Sequence, residues 1–149
     1  MENPIADLRN LLNQFEQVCD DMAKDKGIEH LAGPQGWALL YLNNRKEQET
    51  FVKDIEQEMK VSKSVASNLV KRMEKNGFIE VIPSKEDKRY KQIVLTVKGR
   101  DKISRLEDFH KEIRNSLFQN IAKEDFQQVL QWAEQLKANI ITYKEKKHV

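Results

Sequence analysis

Residues 61–82 read VSKSVASNLVKRMEKNGFIEVI, and the organisation of the whole chain can be worked out from this stretch. Ser62 is a hydroxyl residue suited to cap a helix N-terminus. Behind it Ala66, Leu69, Val70 and Met73 recur at threes and fours, the spacing that lines one face of a helix. Gly77 then stands where a left-handed C′ residue ends such a helix. After Gly77 the period falls from about 3.6 to 2, which marks strands. Phe78 to Ile82 and Gln92 to Leu95 are β-rich runs, and Pro83 to Lys91 between them is polar, charged and turn-forming. The prediction is a capped helix leading directly into a hairpin with a long basic tip.

Upstream, a short helix is predicted around Val52 to Met59, with Val52, Ile55 and Met59 inward and a stop at Lys60-Val61. Gly33-Pro34 opens another helix, carrying Trp37, Leu40 and Tyr41, which the polar run Asn43 to Glu49 closes. Asn3-Pro4 opens the first helix, whose apolar stripe is Ile5, Leu8, Leu12, Phe15, Cys19 and Met22 and whose end is Gly27. Downstream, Thr96 caps one long helix with Ile103, Leu106, Phe109, Ile113 and Leu117 inward. A last helix from about Lys123 carries Phe126, Val129, Leu130, Ala133, Leu136, Ile140 and Tyr143, before a frayed, basic Lys144 to Lys147 end. Helix, short turn, helix and hairpin in that order are a winged helix-turn-helix. The expected class is mainly α with a small β-hairpin wing.

With 149 residues, the chain is expected to form a single domain. A 34% charged content makes for a thin, heavily solvated core. No apolar run approaches the ~20 residues that span a bilayer, and Met-Glu-Asn-Pro lacks the features of a signal peptide, so a cytoplasmic protein with no membrane partner is expected. One cysteine allows no intrachain disulfide. The net charge of +2 hides a strong polarity. Between Lys60 and Arg105 there are 13 Lys/Arg against 5 Asp/Glu, whereas the remainder carries 13 basic and 19 acidic groups. A basic middle on an acidic scaffold suits an anion-binding segment.

The helix after Ser62 adds chemistry to that charge. With its apolar face inward, Ser64, Ser67, Asn68, Lys71 and Lys75 point out. Short hydroxyls near the N-terminus let a backbone approach base edges, and lysines further along reach phosphates. Asn68 is able to pair with N6 and N7 of an adenine. A solvated helix can present the same face, and the hairpin tip strengthens the DNA reading. Lys85, Lys88, Arg89 and Lys91 fall within seven residues, and an arginine on a projecting loop fits a narrow minor groove. Asp87 is placed to orient Arg89 through a charge-assisted hydrogen bond.

Asp87-Lys88-Arg89, followed after five residues by Leu95-Thr96 and then Gly99, resembles the D-x-R…L-T-x-x-G signature of the multiple-antibiotic-resistance regulator (MarR) family. Val61 to Ser64 and Leu69 to Ile79 resemble that family's recognition helix and its entry into the wing. The resemblance implies a homodimeric transcriptional regulator of pseudo-palindromic double-stranded DNA, in which small molecules or oxidants change the spacing of the two lobes. By motif position it implies that Ser64, Ser67, Asn68 and Lys71 read or approach bases and that Arg89 enters the minor groove; Ser62, Lys63, Lys88 and Lys91 complete the expected DNA-binding set. The expected division is a winged lobe over 33–99 with dimerisation helices over 1–32 and 100–149. Three positions depart from the pattern: Val81 replaces a frequent arginine, Glu56 a small residue and Lys60 a turn glycine.

The terminal apolar stripes argue for dimerisation independently, because a small winged lobe offers too little surface to bury them. Cys19 continues the first stripe beside Asp20 and Asp21, which suits packing better than a reactive thiolate, although a Cys19-based redox regulator stays open. His30, His110 and His148 are far apart, His110 reads as exposed helix, and no pattern supplies a metal site. No glycine-rich phosphate loop or nucleophile motif is present, so neither an enzyme nor a cofactor is expected. Trp37 and Tyr41 serve the core or line a pocket for an unknown small-molecule effector. An effector-responsive repressor is the leading expectation; a helical protein–protein adaptor with a vestigial winged lobe is the alternative.

Overall fold

The computed structural model describes residues 3–147. Helices α1 (Pro4–Asp25), α2 (Pro34–Asn43), α3 (Val52–Met59) and α4 (Lys63–Lys75) precede strands β1 (Ile79–Pro83) and β2 (Lys91–Leu95). Helices α5 (Val97–Asp101), α6 (Ile103–Ser116) and α7 (Lys123–Lys147) follow. The strands pair antiparallel from Ile79 opposite Leu95 to Pro83 opposite Lys91, which makes a mainly α fold with one hairpin. His148 lies outside the described residues.

Local chemistry accounts for the boundaries. The Asn3 side chain accepts the Ala6 N–H and Pro4 fills the first turn of α1, where an absent N–H leaves nothing unpaired. Gly27 and Gly77 adopt φ of 70° and 81° just beyond α1 and α4, the left-handed conformation that ends helices. Lys60, at φ 54° and ψ 49°, makes the left-handed turn between α3 and α4. This is where the family pattern favours glycine, and a side chain there carries a penalty of about 1 kcal/mol.

The chain divides into two compact units, one up to Glu112 and one from Ile113. The first is built around Ile28, Leu31, Leu39, Ile55, Leu69, Met73, Ile79, Leu106 and Phe109, all fully buried. Ala66, Leu69, Val70 and Met73 are the buried face of α4, as their spacing requires. In the second unit Phe118 meets Phe126 edge to face, with ring centroids 4.9 Å apart.

Two expectations are corrected. The helix capped by Thr96 is not continuous: its first turn and a half, α5, closes at Lys102, whose N–H turns back to Gly99 and Arg100 before α6 begins. The reason is long-range. Gly99 is pinned against the carbonyl of Phe78, where a Cβ would collide, so this turn is placed by the hairpin rather than by the helix that follows. His110, read as exposed helix, is half-buried on α6, its ring 5.5 Å from that of Phe109. The terminal stripes stay open in the single chain. α1 buries only Cys19 and Ala23, and α7 buries nothing, leaving Leu8, Leu12, Phe15, Trp132, Leu136 and Ile140 among the exposed apolar residues. No described helix is long and apolar enough to cross a membrane.

Candidate nucleic-acid interface

Ser62 caps α4: its Oγ accepts the Val65 N–H at 3.3 Å and lies 3.4 Å from Ser64 Oγ. Lys63, Ser64, Asn68, Lys71 and Lys75 are exposed, whereas Ser67 is half-buried at the edge of the packed face. The face opposite Ala66, Leu69 and Met73 therefore presents a hydroxyl, a carboxamide and cations, with no acidic residue before Glu74. At the far end Asn76 Nδ2 donates to buried Gln35 Oε1 at 3.0 Å, which fastens α4 to the start of α2.

The wing tip is held by polar contacts. Arg89 Nε donates to Asp87 Oδ1 at 3.0 Å and Nη2 to Oδ2 at 2.7 Å, while the Arg89 N–H also bonds Oδ1 at 3.1 Å. This fork fixes the guanidinium on a side chain that remains 84% exposed. The pair holds the Asp87 carboxyl below its usual range and raises the guanidinium further. Lys85, Lys88 and Lys91 are exposed around it, and the Arg89 guanidinium stands 6.0 Å from the Tyr90 ring centre.

Beneath the tip lies a cluster that sequence reading did not find. The buried Ser84 hydroxyl donates to Glu49 Oε2 at 2.5 Å and accepts the N–H groups of Glu86 and Asp87 at 3.2 and 3.3 Å. Glu49 Oε1 takes the Lys85 N–H at 2.8 Å, and these two bonds depress the Glu49 carboxyl, the serine hydroxyl contributing most. Next to Glu49, the Thr50 carbonyl accepts Ile93 N–H at 2.7 Å, so the segment before α3 pairs with β2. Arg45 secures this segment in turn through Thr50 Oγ1 at 3.0 Å and the Glu49 carbonyl at 3.2 Å. Glu49 and Ser84 are 35 residues apart, and no local pattern joins them.

The signature residues after the wing form its other anchor. Thr96 Oγ1 donates to the Gly77 carbonyl at 2.6 Å and accepts the Gly99 N–H at 3.0 Å, bridging the end of α4 to the start of α5. Thr96 N–H bonds Phe78 O at 3.1 Å, the same carbonyl against which a Cβ at position 99 would collide. Leu-Thr-x-x-Gly is thus a joint that sets where the wing leaves α4.

A model of the MarR family matches residues 31–89, which contain α2 to α4 and the Asp87–Arg89 pair. The heme sensor protein PefR from Streptococcus agalactiae in complex with heme is 43% identical, with 93% of this chain and 95% of that chain covered and a TM-score of 0.78. Heme-free PefR, at 42% identity over 92% of this chain and 99% of that one, gives a TM-score of 0.82. The chain belongs to the MarR family. The transcription regulator MarR from Oenococcus oeni PSU-1 is 25% identical, over 93% and 98% of the two chains, at a TM-score of 0.66. MepR of S. aureus, in its DNA complex, shares the fold at 19% identity and a TM-score of 0.69, over 93% and 96% of the chains. No curated protein sequence matches. Family membership makes this a transcription regulator with a winged-helix fold.

The remaining candidates are not part of this surface. Trp37 is half exposed on α2, and Tyr41 carries Arg45 over its ring at 5.3 Å; neither lines the larger clefts. Cys19 is buried, and desolvation, then Asp20, raises its pKa. Val81 is half-buried in β1 opposite Ile93, with no ion pair. Among the described residues no group of three or more His, Cys, Asp or Glu is arranged to hold a metal ion.

Proposed function

We propose that this MarR-family protein binds double-stranded DNA sequence-specifically as a homodimer and represses transcription until an effector releases it. The observation that carries the reading is the juxtaposition, on consecutive elements, of the exposed Ser64, Asn68 and Lys71 face of α4 with Arg89 held by Asp87 at an exposed wing tip. The hydroxyl and carboxamide suit base edges in a major groove, the lysines suit phosphates, and Arg89 suits the adjoining minor groove. Ser62, Lys63, Ser67, Lys88 and Lys91 complete the proposed contact set. The wing-to-helix joint at Thr96 and Gly99 holds these two parts of the surface in register.

A second copy of the chain is the proposed cover for the apolar stripes of α1 and α7, which one chain leaves in water. Two copies present two α4 helices, matched to half-sites one helical turn apart, about 34–36 Å. Acting on chromosomal DNA places the protein in the cytoplasm.

For the effector we infer an iron porphyrin, the ligand of PefR, because identity to that sensor extends over nearly the whole of both chains. The donor chemistry fits. Imidazole is a common axial ligand of heme iron, and His110 offers one at a half-buried position beside Phe109, whereas His30 is exposed. Bound iron porphyrin would supply a Lewis-acidic metal centre with large apolar faces. His110 would hold that iron from α6, the helix on which Leu106 and Phe109 are buried.

Selection of duplexes from a random pool, with and without hemin, tests both parts. A pseudo-palindrome enriched without hemin and lost with it supports the account. Absence of enrichment at low salt refutes DNA binding. Hemin-independent enrichment refutes the effector assignment alone, and a Soret band unchanged in His110→Ala refutes His110 as the iron's ligand.

A further inference from the structure

Most of α4 follows a simple partition, in which apolar residues are buried and polar ones exposed. Val65 breaks it. It is 49% exposed on the first turn of the helix, the one large apolar side chain that α4 leaves in water. Its backbone N–H is used by the Ser62 cap, but it is not among the buried residues of α4, which are Ala66, Leu69, Val70 and Met73. A β-branched residue is also a poorer helix former than the lysine, glutamate or glutamine that solvation alone would favour there. Isolated exposed apolar residues are ordinary on protein surfaces. This one is set within the reading face, between exposed Ser64 and, three residues on, exposed Asn68.

Residues three apart on a helix are neighbours on its surface, so the isopropyl group lies beside the Asn68 carboxamide. Valine is stiff at χ1, which gives the group a defined shape before any contact forms. The major groove holds one apolar feature among its donors and acceptors, the C5-methyl group of thymine. We propose that Val65 is a specificity-determining residue that reads a thymine methyl next to the base pair read by Asn68. The proposal rests on the DNA-binding reading above and adds to it a base identity that hydrogen bonding by α4 would not supply.

The test takes the duplex selected from the random pool and replaces each thymine in turn by deoxyuridine, which removes the methyl and leaves every hydrogen-bonding edge intact. Wild-type protein is expected to lose about fourfold in affinity, the effect of withdrawing one buried methyl group, at one position in each half-site. That position is expected to adjoin the one where Asn68→Ala relaxes preference. Val65→Ser should bind thymine and deoxyuridine duplexes equally, whereas Val65→Thr, which keeps a methyl, should preserve the discrimination. Because Val65 is exposed, neither substitution disturbs the core. Tight wild-type binding with deoxyuridine tolerated everywhere, or an undiminished penalty in Val65→Ser, overturns the proposal. Failure of the wild type to bind any duplex overturns it too, by removing the DNA-binding reading beneath it, and is recognised before any thymine is replaced.

Discussion

Glu49 accepts the Ser84 hydroxyl at 2.5 Å, and through that serine the segment before α3 reaches the backbone of Asp87, whose carboxylate grips Arg89. The minor-groove arginine proposed here is thus oriented from two directions, locally by Asp87 and at long range by Glu49. Rigid support of this kind limits the conformational entropy lost when an exposed side chain is ordered by a partner.

Glu49→Ala should therefore weaken duplex binding in the same way as Arg89→Ala. Residues acting through one network do not add. The double variant is expected to bind within about twofold of Arg89→Ala alone, as contacts shared in a network imply. Equilibrium binding of the four proteins checks this; fully multiplicative losses would show that Glu49 acts elsewhere.

The pH dependence has a definite sign. Bonds from Ser84 and Lys85 lower the folded Glu49 pKa below its unfolded value, and Arg89 does the same for Asp87. The stability they contribute is present above the ordinary carboxylate range and is lost as pH falls through the depressed folded values. Wing geometry should stay unchanged from about pH 8 down to pH 6. Amide resonances of Lys85 and Arg89 should move only at more acidic pH, with midpoints below those of unstructured Glu and Asp; midpoints at or above those values would count against the clamp.

Two backbone sites should respond in opposite directions. Gly99→Ala forces a Cβ onto the Phe78 carbonyl and should destabilise the fold by about 1–3 kcal/mol, the usual effect of overpacking. Lys60→Gly relieves a left-handed side chain and should stabilise it by up to about 1 kcal/mol. Urea unfolding midpoints at constant m-value measure both.

Cys19 should react slowly. Burial and the adjacent Asp20 disfavour its thiolate, so a disulfide reagent should modify it at a rate limited by opening of the fold. Peroxide should lower DNA affinity no more in the wild type than in Cys19→Ser. Peroxide sensitivity confined to the wild type would instead support a redox sensor.

What could be read from the sequence divides by distance along the chain. The Ser62 cap on Val65, the left-handed turn at Gly77 and the Thr96 cap on Gly99 act within three residues, and these roles follow from residue type; the bond from Thr96 to the Gly77 carbonyl, 19 residues away, does not. Asp87 and Arg89, two apart on one turn, are equally local. Glu49 is not, because its partner arrives only when the hairpin folds back 35 residues later. Gly99 was recognisable as part of a motif, but its reason, the Phe78 carbonyl, is a tertiary contact, and the same contact accounts for the unforeseen break before α6. Val65 escaped notice because helical spacing identifies the face that packs and says little about an apolar residue left outside it. The stripes of α1 and α7 were visible as patterns, and a single chain leaves them uncovered.

The most direct test of the central claim is the salt dependence of duplex binding by wild type and Arg89→Ala. Phosphate contacts release counterions, so log K for the wild type should fall steeply and linearly with log[salt]. Removing the wing arginine should weaken binding to every duplex and make that slope shallower by about 1. No duplex binding by the wild type at low salt, or a slope that Arg89→Ala leaves unchanged, would contradict a DNA-reading surface built from α4 and the wing.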